Sequence, residues 1–286
     1  MSEESRESMR TPQGMNTSLI VTVLPTYNPE LSLFTKVIKS VLKETQSVIV
    51  VDDGSKQTDE IRKLTHGATF ISLTRNMGQA HALNVGVKEA LELSPDWILI
   101  LDQDTILEDG AISSLGNLRT KNPNIGIICM RKDVPRGVFI EQRTGVLSGN
   151  LVRADIFKSV MFREDFFIDQ IGFDFWFKAR KAGYRVLGFG GGIGQHEVGR
   201  KIQIGNTMIF SEPHERFYYI VRNSTVLLCE GGLPISEWGL QILHWFTSLV
   251  IVEGFRTASS SLLWGLADGL FSRLGKRFSV DGQIRV

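Results

Sequence analysis

The chain has 286 residues, and its 32 Lys+Arg stand against 31 Asp+Glu. That length buries a sizeable core, and the balanced charge argues against a nucleic-acid partner, which calls for a basic excess to neutralise phosphates. Two cysteines, Cys129 and Cys229, are too few for a zinc cluster or a disulfide framework and fit a reducing, cytoplasmic setting.

The first fifteen residues are polar and charged, lack the apolar stretch of a secretory signal, and read as a tail, 1–15. A run of short apolar segments and helical patterns then begins. Ser18–Leu24 reads as a buried strand ending in a Pro-Thr-Tyr-Asn-Pro turn, and Leu31–Lys43 as a helix. Ser47–Val51 is a second strand, stopping at Asp52-Asp53-Gly54-Ser55. Thr69–Leu73 is a third, followed by a long helix from about Gly78 to Leu93. Trp97–Leu101 is a fourth, ending at Asp102-Gln103-Asp104. Strands alternating with helices predict right-handed crossovers and a mainly parallel sheet flanked by helices, an α/β fold of Rossmann-like type. Polar residues follow three of the strands directly: Tyr27-Asn28, Asp52-Asp53 and Asp102/Asp104. The carboxyl ends of parallel strands line up along one edge, so three separate stretches deliver polar groups to one crevice.

From Ile125 the pattern loosens into strand-like pieces, a helix beginning near Gly172 and a glycine-rich stretch, Gly188–Gly194. Those glycines lack the context of a nucleotide-binding loop. After Ser211 come aromatic-rich helical segments, Phe217–Cys229, Trp238–Phe255 and Leu262–Leu274. We therefore expect a catalytic domain at 16–205 and a helical C-terminal extension at 206–286. No segment reaches the roughly 18 uninterrupted apolar residues of a membrane span. The aromatics of the extension with Arg256, Arg273, Lys276 and Arg277 suit either a membrane surface or a homo-oligomer face.

Asp102 and Asp104 are alternate residues of an extended segment, so both carboxylates face one site. Hard oxygen ligands of that kind hold Mg2+ or Mn2+, which keeps part of its shell for substrate phosphates. Arg216, Tyr219 and Asn223 share a helical face with Arg222 at its edge, an arrangement that would bring the two arginines to a diphosphate.

Val23-Leu24-Pro25-Thr26-Tyr27-Asn28, then Val50–Ser55, then Arg75-Asn76-Met77-Gly78 with Ala82–Gly86, then Leu101–Asp104, resemble in order and spacing the nucleotide-binding half of family 2 inverting glycosyltransferases, which have the GT-A fold. Ser148–Leu151, Phe167–Trp176, Lys178–Tyr184 and Arg216–Asn223 resemble its rhamnosyltransferase branch. The resemblance implies a nucleotide-diphosphate-sugar donor, with dTDP-rhamnose expected, and a glycan or lipid-linked acceptor at the inner face of the cell membrane. It assigns Pro25, Thr26, Tyr27, Asn28, Asp53, Arg75 and Gly78 to the nucleotide, and Asp102, Asp104 and His196 to the metal. It makes Asp174 the general base, with Asp169 as rival or acceptor contact. Gly172-Phe173 depart from the family's acidic pattern, which also admits a catalytically inactive, sugar-nucleotide-binding subunit. A nucleotidyltransferase is disfavoured, because Pro-Thr-Tyr-Asn-Pro stands where a basic phosphate loop is needed. A glycoside hydrolase leaves the diphosphate-type site unexplained.

Overall fold

The computed structural model describes residues 18–115, 124–196, 200–204 and 207–278. The expected tail at 1–15 and the expected domain boundary at 205 lie outside these residues.

Strands β1 (Ile20–Thr26), β2 (Ser47–Asp52), β3 (Thr69–Ser72) and β4 (Trp97–Ile100) form the parallel half of an eight-stranded sheet. Its order is β3-β2-β1-β4-β8-β6-β9-β7, where β6 is Ile125–Arg131, β7 Phe139–Glu141, β8 Asn150–Arg153 and β9 Arg185–Gly190. β8 runs antiparallel to both β4 and β6, and β6 pairs in parallel with β9. Helices α1 (Leu31–Glu44) and α3 (Gln79–Glu92) follow β1 and β3, while α2 (Thr58–Leu64) follows β2.

Alternation along the strands explains why both faces are covered. Val21, Val23, Ile49, Val51, Ile98 and Ile100 join one core with α3, whereas Ile20, Leu24, Val48, Val50 and Leu99 join another with α1. Both faces of β1, β2 and β4 are buried, so these strands read as unbroken apolar runs. Gly86 sets the approach of α3: a Cβ there would lie 2.5 Å from Val23 Cγ1 and 3.0 Å from Val51 Cγ2.

Register then fixes the site. Thr26 pairs with Asp52, and Val23 with Ile100, so the loops leaving β1, β2 and β4 emerge side by side. After β4 the chain forms β5 (Thr105–Leu107), the short α4 (Ala111–Ser114) and, farther on, α5 (Ile171–Lys181). β10 (Ile193–His196) pairs antiparallel with β5 and sets His196 opposite Thr105. A hairpin of β11 (Arg200–Ile204) and β12 (Thr207–Ser211) leads into the extension.

The extension is a three-helix unit of α6 (His214–Cys229), α7 (Ile235–Glu253) and α8 (Phe255–Leu270). Every residue of α6 from Phe217 to Leu227 is buried. Gly265 and Gly269 let α8 lie directly on it, against Val221, the Arg222 carbonyl and Thr225. The outer faces of α7 and α8 expose Leu240, Leu243, Leu263, Trp264 and Leu270. No helix among the described residues is long and apolar enough to cross a membrane.

Candidate active site

The loops after β1 and β2 are tied to each other before any ligand is considered. Asn28, at φ 44°, accepts the Lys56 N–H on Oδ1 at 2.8 Å, and its own N–H donates to Ser55 Oγ at 2.7 Å. Asp52 serves the turn as well, accepting from Ser55 N–H and the Thr58 hydroxyl. Asp53 is buried, and each carboxylate oxygen accepts one backbone N–H, from Met77 at 2.7 Å and from Gly78 at 2.8 Å. Burial raises its pKa above the ordinary value despite those two bonds. The carboxylate expected to meet the nucleoside thus also shapes the loop carrying Arg75, and it keeps spare lone pairs for a ligand. Gly78 is required here: at φ 100° a Cβ would fall 2.5 Å from the Phe167 ring and 2.6 Å from its carbonyl oxygen. Arg75 is exposed at the rim.

The Asp102-Gln103-Asp104 turn stands beside these loops. Gln103 Oε1 accepts the Thr26 hydroxyl and the Tyr27 N–H, each at 2.8 Å, locking the turn after Pro25 to the turn after β4. Asp102 Oδ1 accepts from Gln79 Nε2 at 3.0 Å, and its N–H donates to Ser148 Oγ at 2.9 Å. The Thr105 hydroxyl bridges Ser148 Oγ at 2.7 Å and His196 Nδ1 at 2.6 Å. His196 Nδ1 lies 3.5 Å from Asp104 Oδ1. Asp102, Asp104 and His196 offer ligand atoms all within 4.8 Å of one another.

The electrostatics fit a divalent cation. Burial, and then the charge of Asp104, push the Asp102 carboxyl up to about 6. Burial opposes a charge on His196, but Asp104 and Asp102 outweigh it and raise its pKa. Asp104 Oδ1 is buried without a hydrogen-bond partner. Two crowded carboxylates and an imidazole, with one Asp104 oxygen meeting only the His196 ring, are a donor set that would suit a divalent ion.

Across the crevice the chain from Phe167 to Gln170 is strained. Phe167, Asp169 and Gln170 have φ of 65°, 62° and 59°, a backbone that non-glycine residues adopt at a cost. α6 holds it in place. Asn223 Nδ2 donates toward the carbonyls of Phe166, Ile168 and Asp169 at 3.1, 2.8 and 3.1 Å. The loop presents Asp169, whose two oxygens accept from Arg216 at 2.6 and 3.2 Å. Arg216 also reaches Glu212 at 3.0 Å. Burial weakens the guanidinium charge, but Asp169 and Glu212 hold its pKa above the ordinary value, and Asp102 adds to them. Arg216 is therefore electrically coupled to Asp102.

Two of the expected site residues, Asp174 and Arg222, lie in the interior. Asp174 does sit in the first turn of α5, yet it is fully buried, 2.7 Å from Lys178 Nζ and 3.6 Å from Arg163 Nη1. Burial raises its carboxyl even against those cations. The Asp174 carboxylate has no exposed surface and faces Lys178 and Arg163. Arg222, expected at a diphosphate, is the other. It is fully buried and donates to the carbonyls of Gly275, Asp165 and Phe166 and to Asn223 Oδ1. The helical wheel placed it at the edge of a polar face, but α6 has no free face there.

Gln103, Gln79, Thr105 and Ser148 join the cluster through hydrogen bonds that the motifs do not single out, although Ser148 stands in the Ser-Gly-Asn motif and Gln103 in the middle of Asp-x-Asp. A cavity of about 420 Å³ adjoins the cluster, lined by Thr105, Ser148 and His196 at one end and by Met130, Val146 and Phe173 elsewhere.

Comparison with known proteins agrees with this architecture. The chain is 26% identical over 265 residues to the dTDP-rhamnosyl transferase RfbF of Shigella flexneri, covering 82% of this chain and 88% of that one. Its fold is similar to the mannosyltransferase PcManGT of Pyrobaculum calidifontis, solved with GDP-Man and Mn2+ (TM-score 0.54, 14% identity, 90% and 88% coverage). It is also similar to residues 1–349 of S. aureus TarS in complex with UDP-GlcNAc (TM-score 0.53, 16% identity, 88% and 80% coverage). The mainly parallel sheet with its helical C-terminal region is the GT-A arrangement. Residues 22–179 match the family Glycosyl transferase family 2, and the chain belongs to that family.

Proposed function

We propose that this glycosyltransferase is metal-dependent and inverting, and that it moves L-rhamnose from dTDP-rhamnose onto a hydroxyl of a glycan or lipid-linked glycan. The observation that carries the reading is the Asp102, Asp104 and His196 cluster, set at the carboxyl edge of the sheet with Arg216 coupled to Asp102. The donor sugar rests on the near full-length similarity to the RfbF transferase.

In this reading the loops at Pro25–Asn28 and Arg75–Gly78, with Asp53, hold the nucleotide. Asp102, Asp104 and His196 hold the cation, with Mn2+ suiting the imidazole better than Mg2+. The cation, when bound, neutralises charge on the departing diphosphate. Gln79, Ser148 and Thr105 fix the ligand side chains, as hydrogen bonds behind a metal site do. The acceptor hydroxyl forms its bond to C1 as the bond from C1 to the diphosphate oxygen breaks on the opposite face. Asp169 takes the hydroxyl proton on the oxygen whose longer bond to Arg216 opens to the acceptor. Arg216 orients that carboxylate and faces the diphosphate's charge. The cavity beside His196 and Phe173 receives the sugar or the acceptor.

The exposed apolar residues of α7 and α8, with Arg256 and Arg273 nearby, support peripheral attachment to the inner face of the cell membrane. Flotation with anionic vesicles tests this, and a protein that stays at the bottom of the gradient with and without them refutes it. The functional test is product analysis. Incubation of a nucleotide-sugar panel with Mn2+ and a lipid-extract acceptor should consume dTDP-rhamnose and, by NMR, yield the inverted anomer. Consumption of a different donor would overturn the sugar assignment, and a retained anomer would overturn the mechanism.

A further inference from the structure

Beyond α8 the chain turns back across the molecule as a fixed strap. The Gly275 N–H donates to the Asp165 carbonyl at 2.7 Å, and the Gly275 carbonyl accepts from Arg222 at 2.6 Å. The Tyr219 hydroxyl accepts the N–H groups of Arg277 and Phe278 at 2.8 and 2.9 Å and donates to the Phe278 carbonyl at 3.1 Å. Arg277 pairs with the buried Asp268. So many ties on four residues distinguish this segment from a frayed end.

Between the ties stands Lys276. Its ammonium donates to the Asn76 carbonyl at 3.1 Å and lies 5.2 Å from the centre of the Phe167 ring. Asn76 sits between Arg75 and Met77, in the loop that Asp53 anchors and that leads through Gly78 into α3. Asp53 senses the lysine's charge, which works against the effect of burial on its carboxyl. Among the described residues the Asn76 carbonyl is the ammonium's one hydrogen-bond acceptor, and the side chain is exposed. A lysine so held has two protons left for a ligand and offers a compact positive charge, which suits phosphate oxygens.

We propose that Lys276 is a donor-binding residue, its ammonium brought to the nucleotide loop by the C-terminal strap to contact the phosphates of the nucleoside diphosphate. The inference rests on the donor reading above and deepens it, because the helical extension then completes the donor site. Tyr219 and Arg222, buried in α6, act through the strap as positioning residues.

Calorimetric titration of the full chain with dTDP and Mn2+, at several ionic strengths, tests the assignment. Lys276→Ala is expected to weaken dTDP about tenfold, the scale of one charge-assisted contact at a partly exposed site, and to flatten the salt dependence. Lys276→Arg should stay within about threefold of wild type, since the charge is kept. Tyr219→Phe, which loosens the strap and leaves Lys276 in place, should also weaken dTDP. Thermal melts confirm that each variant is folded. An alanine variant that binds like wild type, or one that weakens with unchanged salt dependence, overturns the contact while the donor reading stands. A wild-type chain that binds no nucleoside diphosphate with metal overturns both.

Discussion

Asn223→Ala removes the side chain that holds the strained Phe167–Gln170 loop. The two amide protons of Asn223 are shared among three carbonyls, those of Phe166, Ile168 and Asp169. Its Oδ1 accepts from the buried Arg222. The Phe166 carbonyl keeps Arg222, but leaving the half-buried Ile168 and Asp169 carbonyls unpaired costs about 1 kcal/mol each, and orphaning a buried guanidinium N–H adds about 1–3, so a loss of about 3–5 kcal/mol is expected. At roughly 2–4 °C per kcal/mol for a chain of this size, the melting temperature should fall by about 10 °C. Thermal and urea unfolding followed by circular dichroism measure the loss. Because the loop's left-handed backbone relaxes once the ties are gone, turnover should fall well below the folded fraction. A variant within about 1 kcal/mol of wild type would show that the loop is held by something other than this amide.

Other perturbations separate the roles assigned here. With the Asp102 carboxyl pushed up to about 6, protons compete with metal as pH falls. Mn2+ binding should therefore be about tenfold weaker at pH 5 than at pH 7.5, and a flat calorimetric profile would contradict the cluster as ligand. Asp174→Asn should change stability by no more than about 1 kcal/mol, because burial already opposes its charge and Arg163 keeps Asp165 and Glu230, while transfer stays within a few-fold of wild type. Asp169→Asn should cost turnover about 10²-fold or more with little effect on donor affinity. The reverse ranking of these two variants would restore Asp174 as the base. Gln103→Ala should weaken nucleotide binding and spare the fold, because it frees the Thr26 and Tyr27 loop. Unchanged affinity would remove Gln103 from the site.

The sheet edge was legible because each apolar run stops at polar residues, and a parallel sheet sends those ends to one place. Asp102, Asp104 and the loops at Asn28 and Asp53 follow directly from that rule. The burial of Asp174 is not legible, because a position in a helix's first turn does not say which side the carboxylate faces. Its i+4 partner Lys178 was visible, but Arg163 comes from a separate turn. The strain at Phe167, Asp169 and Gln170 left no mark, since none is a glycine or an asparagine. The burial of Arg222 is not legible either, because helical periodicity alone does not show that α7 and α8 wrap around α6. The contact of Lys276 with Asn76 leaves no local mark, since the two are 200 positions apart.

The most direct test of the central claim is transfer from dTDP-rhamnose by wild type and Asp104→Ala, each with Mn2+ and with EDTA. A metal-dependent transferase should turn over only as wild type with Mn2+, and metal should not rescue the variant. Equal turnover in EDTA, or full activity in Asp104→Ala, would contradict the assignment of Asp102, Asp104 and His196.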